Sequence, residues 1–524
     1  MNLCRKFGPL MITACVGAAG CHAPSKSEAP LDTAGPVVAT GIGLDAAREA
    51  QRQSALRQHL RILESVKPRW LLDSTARIVT AERIAAGDFS PAELYEVGRL
   101  IFEHDTTFAD GLGGARARAV AEEGRESPFH RVHEGRFGGP DTTSCGSCHW
   151  RGGPAGAGGL QDNSFLFGDG DRISTADARN PPSLQGVGPV QALAVEMSAE
   201  LQAARDEIVR RARSEGRAVE GPISAKGVSF GILRAAADGG LDFTRVEGVD
   251  RDLVIKPFGW KGTFATVRGF VQESLQVHFG MQAEEIVEQN RIQPDPELLG
   301  RGANPRDPDG DGVERELTEG QVTALVAYLA MQEMPVVKPP ETLHHSQPRA
   351  PNLIAPTATV FTPRWTRGRE LFHAIGCATC HVPMLPLKDP TFRTRGGVSG
   401  ATTQIDLSRH GESPRIERDP LLDAYPLWLF SDLKRHDMGR ESASLHEDHG
   451  VPVQQYLTRR LWGLASSPPY FYDGHAPWFD HAIQAHGGEA AASRNAFIAL
   501  GREEKGAVRL YLLSLRRERR VVVP

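Results

Sequence analysis

Cys145-Gly146-Ser147-Cys148-His149 and Cys377-Ala378-Thr379-Cys380-His381 are two copies of Cys-x-x-Cys-His. Two thiols one helical turn apart can add to the vinyl groups of a haem, and the adjacent His can ligate its iron. A redox dithiol or half of a zinc site also uses Cys-x-x-Cys, but neither needs the His. Every cysteine after Cys21 lies in the two motifs. They therefore predict two covalently bound haem c groups, held by Cys145, Cys148, Cys377 and Cys380, with His149 and His381 as proximal ligands.

The sixth ligand separates carriers from catalysts. An iron with two protein ligands shuttles electrons, whereas an open iron face binds peroxide or dioxygen. The downstream candidates are His278 or Met281 for the first haem, and Met438 or His486 for the second. Glu196 is a candidate proton carrier on an open haem face, or a helix-surface carboxylate. Trp150, Trp260 and Trp462 are indoles that either pack on porphyrin or relay electrons. Asp307, Asp309 and Asp311 alternate before Gly312 like the first half of a calcium-binding EF-hand loop. Thr318 stands where that loop expects its bidentate Glu, with Glu314, Glu316 and Glu319 nearby, so a solvated acidic turn is the alternative to a calcium site.

These residues need helices to hold them. Ser90-Pro91-Ala92-Glu93 reads as a capped helix start, with Ser as N-cap, Pro in the first turn and Glu at the capping-box position. Leu94, Val97, Leu100 and Ile101 give that helix an apolar side. Gly98-Arg-Leu-Ile-Phe102 recurs as Gly368-Arg-Glu-Leu-Phe372, each ahead of a haem motif. Each half closes on an apolar helix, at 325–329 and 510–515. A helix before the motif and another closing the unit, packed across each other, is the cytochrome c plan.

The chain has 524 residues, ample for several domains. Its net charge of −5 gives no reason to expect nucleic-acid binding. With 55 Gly and 36 Pro, long irregular connections are expected between helices. Arg5 and Lys6 precede an apolar run at 7–19, too short for a permanent membrane span, so residues 1–20 read as a signal peptide. Ala18-Ala19-Gly20-Cys21 resembles a lipobox, which makes Cys21 a candidate lipid anchor in the periplasm; plain secretion and an uncleaved anchor are the alternatives. Bacterial haem attachment outside the inner membrane agrees with export. A flexible tether at 21–43 and a helical extension at 44–130, opening with a helix at 44–66, come next. A first cytochrome c-like haem domain at 131–335, a Pro-rich crossover at 336–362 and a second haem domain at 363–524 complete the expectation. The predicted class is mainly α, with two cytochrome c-like haem domains, long irregular loops and little strand alternation.

The chain resembles the di-haem oxidoreductase family, also labelled di-haem peroxidase or thiol oxidoreductase, and more distantly the bacterial di-haem cytochrome c peroxidases. The resemblance rests on 131–141 and 152–156 around the first motif, on 179–184, 258–262, 278–282 and 307–312, then on 375–383, 433–438, 461–463, 469–471 and 486–490. It implies that one haem stores an electron and the other meets peroxide. It also implies His486 ahead of Met438 as sixth ligand of the second haem, with a lower potential than Met would give. The 179–184 segment resembles the one that precedes the peroxidases' acidic residue, which points to Glu196. The expected activity is peroxide reduction, or peroxide-driven oxidation of a partner, with hydrogen peroxide or a similar oxidant and a small cytochrome or cupredoxin as donor. The rival is a non-catalytic di-haem electron-transfer cytochrome. Thiol oxidation has little to work with, because Cys21 is the one cysteine beyond the leader outside the motifs.

Overall fold

The computed structural model describes residues 69–114, 117, 129–134, 139–292, 304, 306–337 and 358–517. The leader, the tether with Cys21, the 44–66 helix and most of the 336–362 crossover lie outside the described residues.

Helix α1 (Pro91–Glu103) begins as its sequence dictates. Ser90 N–H donates to the Glu93 carboxylate at 2.7 Å, while Glu93 N–H donates back to Ser90 Oγ at 3.3 Å. The buried side holds Leu94, Val97, Leu100, Ile101 and Phe102. Helix α2 (Val187–Glu215) runs for 29 residues, and helix α3 (Glu319–Ala330) is buried along its whole length. Helix α3 crosses α1 at Gly98, where a Cβ would run into the Ala324 carbonyl oxygen. Beside the crossing, Phe102 and Tyr95 pack on Tyr328 with ring centres 5.1 and 5.0 Å apart.

The second half repeats this joint. Helix α4 (Ala358–Ala374) crosses α5 (Arg502–Leu513) at Gly368, where a Cβ would strike the Ala507 carbonyl. Phe372 and Trp365 pack on Tyr511 at 5.5 and 5.4 Å. The recurring Gly-Arg-x-x-Phe is thus a helix-crossing device: Gly lets two backbones touch, and Phe four residues on fills the space beside them.

Helices prevail, as expected, but the strand content is larger than "mainly α" implies. Strands β1 (Val219–Ala225), β2 (Val228–Ala235) and β3 (Leu241–Val246) form an antiparallel sheet against α2. Val219, Ile223 and Ala225 alternate inward on β1, as do Val228, Phe230, Leu233 and Ala235 on β2. That is the two-residue period of a half-buried sheet. Five smaller sheets lie among the described residues. One hydrophobic core runs from Leu72 to Trp462, and a second gathers Leu371, Phe372, Phe430, Phe497 and Tyr511. No described helix is long and apolar enough to cross a membrane.

Candidate haem-binding sites

The second Cys-x-x-Cys-His follows α4 directly, and its walls enclose a cavity of about 450 Å³. Cys377, Cys380, His381 and His486 all line it. His381 Nδ1 lies 3.1 Å from the Phe430 carbonyl oxygen, and His486 Nδ1 lies 2.7 Å from that of Ala482. With the proton on each Nδ1, both Nε2 lone pairs are left for a metal. The two ring centres stand 6.3 Å apart. Two metal–nitrogen bonds of about 2 Å, each extended by about 1.2 Å to its ring centre, span about 6.4 Å. The spacing fits one iron between the two imidazoles. Burial, and then the neighbouring His486, push the His381 pKa down to about 4.

The cavity wall also carries Arg459 and Arg460. Burial pushes their pKa values down to about 10 and about 9, and Arg460 Nε is buried without a partner. No carboxylate pairs with either among the described residues. They lie over the rings of Trp260 and Trp462, at 4.5 and 5.7 Å. Two uncompensated guanidiniums on an apolar cavity suit a planar ligand bearing two carboxylates, which is what a haem presents. Burial also pushes the Cys145 and Cys377 thiols up, to about 12 and about 11. A redox dithiol needs the opposite shift.

The first motif sits on a short helical turn, Cys145–Cys148, beside Phe102 of α1. His149 Nδ1 lies 3.1 Å from the Gly156 carbonyl oxygen, matching His381. Burial, then a hydrogen bond to that carbonyl that pulls the other way, then the charge of His278, leave the His149 pKa at about 4. Yet no second imidazole pairs with His149 at the spacing of His381 and His486 among the described residues; its ring neighbour is Phe102, at 6.5 Å. His278 rides on a π-helical turn, Leu275–Phe279, with its Nδ1 3.1 Å from Asp141 Oδ2. Burial lowers the His278 pKa, but the Asp141 carboxylate more than reverses this. Met281 is wholly buried in the core. Met438 also lines the large cavity, but His486 makes the ring pair with His381.

A family model described as "Di-haem oxidoreductase, putative peroxidase" matches residues 353–515. A solved structure of a MauG-like protein associated with microbial copper homeostasis is similar at 13% identity, covering 63% of this chain and 89% of that one, with a TM-score of 0.25. No curated protein matches the chain.

Glu196 is held by structural contacts. It lies on α2, where Lys226 Nζ reaches one carboxylate oxygen at 2.5 Å. The Lys388 and Asp389 amides donate to the carboxylate at 2.8 to 3.1 Å. Both oxygens are spent on tying two loops to the helix. These bonds favour the helix-surface alternative over the proton-carrier reading.

Asp307, Asp309 and Asp311 do converge, with carboxylate oxygens within 4.8 Å of one another. Asp309 Oδ2 is buried without a partner, and burial together with the charge of Asp311 pushes the Asp309 pKa up to about 8. Glu316, 5% exposed, is pushed well up by burial and by Asp309. Spacing alone did not single out Glu316. Thr318, at the twelfth loop position, is instead the N-cap of α3, accepting from Gln321 N–H at 3.3 Å. Trp150 is exposed beside the first motif, donating to Asp162 at 2.9 Å, and Trp260 donates to the Asn180 carbonyl at 2.9 Å.

Proposed function

We propose that the chain is an exported, di-haem c-type oxidoreductase of peroxidase type. One haem stores an electron and the other meets hydrogen peroxide or a similar oxidant. The observation that carries this is the contrast between His381, faced by His486 at 6.3 Å, and His149, which no described imidazole faces at that spacing. Bound haem supplies the redox-active iron. The chain supplies the rest. His149 and His381 present Nε2 because backbone carbonyls hold Nδ1, His486 closes the second site, and Arg459 and Arg460 clamp carboxylates there. Cys145, Cys148, Cys377 and Cys380 are the thioether positions. Electrons come from a small cytochrome or cupredoxin.

The 307–311 loop with Glu316 is read as a calcium site. It is the kind of crowded, buried carboxylate cluster that a divalent cation relieves. Periplasmic export with Cys21 as lipid anchor completes the reading, and mass spectrometry of the mature N-terminus tests that part.

The functional test is hydrogen peroxide turnover by holoprotein with a reduced small cytochrome. His149→Gly should abolish turnover. Arg83→Gln, in an exposed ion pair with Asp88, should leave turnover within about twofold. Equal turnover in the two variants would refute the assignment of peroxide to the first site.

A further inference from the structure

Glu196 and Met281 are held elsewhere. Asp162, whose charge reaches His149, accepts from Trp150 and from Gly159 N–H. The charge of His278 also reaches His149, and its Nε2 takes no bond among the described residues. We infer that His278, oriented by Asp141, is the proton-handling residue of the first site. The inference rests on that site being the open one.

The geometry is specific. The π-helical turn adds a residue to the last turn of its helix, a distortion common at functional positions. The turn is pinned from outside: Asp141 N–H donates to the His278 carbonyl at 2.9 Å, and Gly113 N–H donates to that of Phe279 at 2.7 Å. His278 Nδ1–H donates to Asp141 Oδ2, with Ser164 Oγ 3.2 Å from the same nitrogen, so in the neutral ring the lone pair is on Nε2, which has no hydrogen-bond partner among the described residues. The His278 side chain is 33% exposed, whereas Asp141 behind it is 4% exposed. Asp141 cannot swing away. Ser164 Oγ holds the same oxygen at 2.5 Å, and His133, wholly buried, reaches it at 3.3 Å. A carboxylate that fixes an imidazole's tautomer while the other nitrogen keeps no protein partner is the general-base arrangement. Asp141 acts through His278 and is a positioning residue.

The proton count closes. His278 Nε2 takes a proton from one peroxide oxygen and returns it to the other as the O–O bond breaks, and that oxygen leaves as water, or as an alcohol from an alkyl peroxide. The remaining oxygen takes two electrons, one from each of two molecules of the one-electron donor, and two protons from solvent, giving a second water.

The test compares wild-type, His278→Gln, Asp141→Asn and Asp141→Glu holoproteins by stopped-flow reaction with hydrogen peroxide and by electron paramagnetic resonance of the oxidised state. His278→Gln should slow the peroxide reaction about 100-fold or more. Asp141→Asn, which can turn an amide N–H toward Nδ1 and invert the tautomer, should slow it about 10- to 100-fold with the high-spin signal kept. Asp141→Glu should recover most of the rate, which a merely structural role would not allow. A His278→Gln rate within twofold of wild type, with the high-spin signal kept, overturns the inference and leaves the open site standing. Two low-spin signals in the wild type, one becoming high-spin in His278→Gln, make His278 a ligand and overturn both.

Discussion

At the first helix crossing Gly98 meets Ala324 and Phe102 packs on Tyr328; at the second Gly368 meets Ala507 and Phe372 packs on Tyr511. Both proximal histidines hand Nδ1 to a backbone carbonyl at 3.1 Å. The differences begin on the other side. His486 faces His381 across room for one metal, whereas His278 is drawn toward Asp141. In the proposed reading a duplicated joint holds two like cofactors, and one histidine's partner decides whether a site is closed or open. The shared half is fixed by backbone contact, which tolerates little change. The half that differs is set by single side chains.

The sharpest way to break the comparison is at the glycines. Gly98→Leu and Gly368→Leu each drive a side chain into a carbonyl of the crossing helix, and each should cost at least about 3 kcal/mol, read by chemical denaturation. If one were tolerated, the two joints would not be equivalent. His486→Ala should turn the second haem from low-spin to high-spin, with the first haem's absorption spectrum unchanged. A spectrum that stayed low-spin would assign the sixth ligand elsewhere, with Met438 the next candidate.

The acidic loop belongs to the first half, and among the described residues the second Cys-x-x-Cys-His has no all-carboxylate counterpart to it. Asp309 titrates near 3.8 when unfolded and at about 8 when folded, so without a cation the folded state binds the extra proton between those values. Cation-free stability should therefore fall as pH rises from about 4 to about 8. Calcium should abolish that slope and raise Tm by several degrees above the chelated protein. Asp309→Asn should stabilise the chelated protein and weaken the calcium response; an unchanged Tm with calcium in every case would leave a bare acidic turn. The smallest effect is expected at Glu196. Glu196→Gln should cost about 1 kcal/mol and leave peroxide reactivity within twofold, whereas a large loss of rate with normal stability would restore its proton role.

Contiguous motifs were readable in advance. The Cys-x-x-Cys-His pairs, the Ser90–Glu93 capping box and the Gly-Arg-x-x-Phe repeat are each contained within a few residues. The β1–β2 alternation was equally local but interrupted by Gly221, Pro222 and Gly231, which masked its period. The failures are long-range. Glu196 meets partners at Lys226 and Lys388, and Asp141 meets His278, so no spacing rule could pair them. Glu316 went unselected among three nearby glutamates because only the fold turns it toward the aspartates.

Electron paramagnetic resonance of the fully oxidised holoprotein, with spins counted against haem content, probes the asymmetry most directly. The account predicts one low-spin and one high-spin ferric iron per chain, the low-spin signal being the one that responds to His486→Ala. Two low-spin irons, or two high-spin ones, would contradict it.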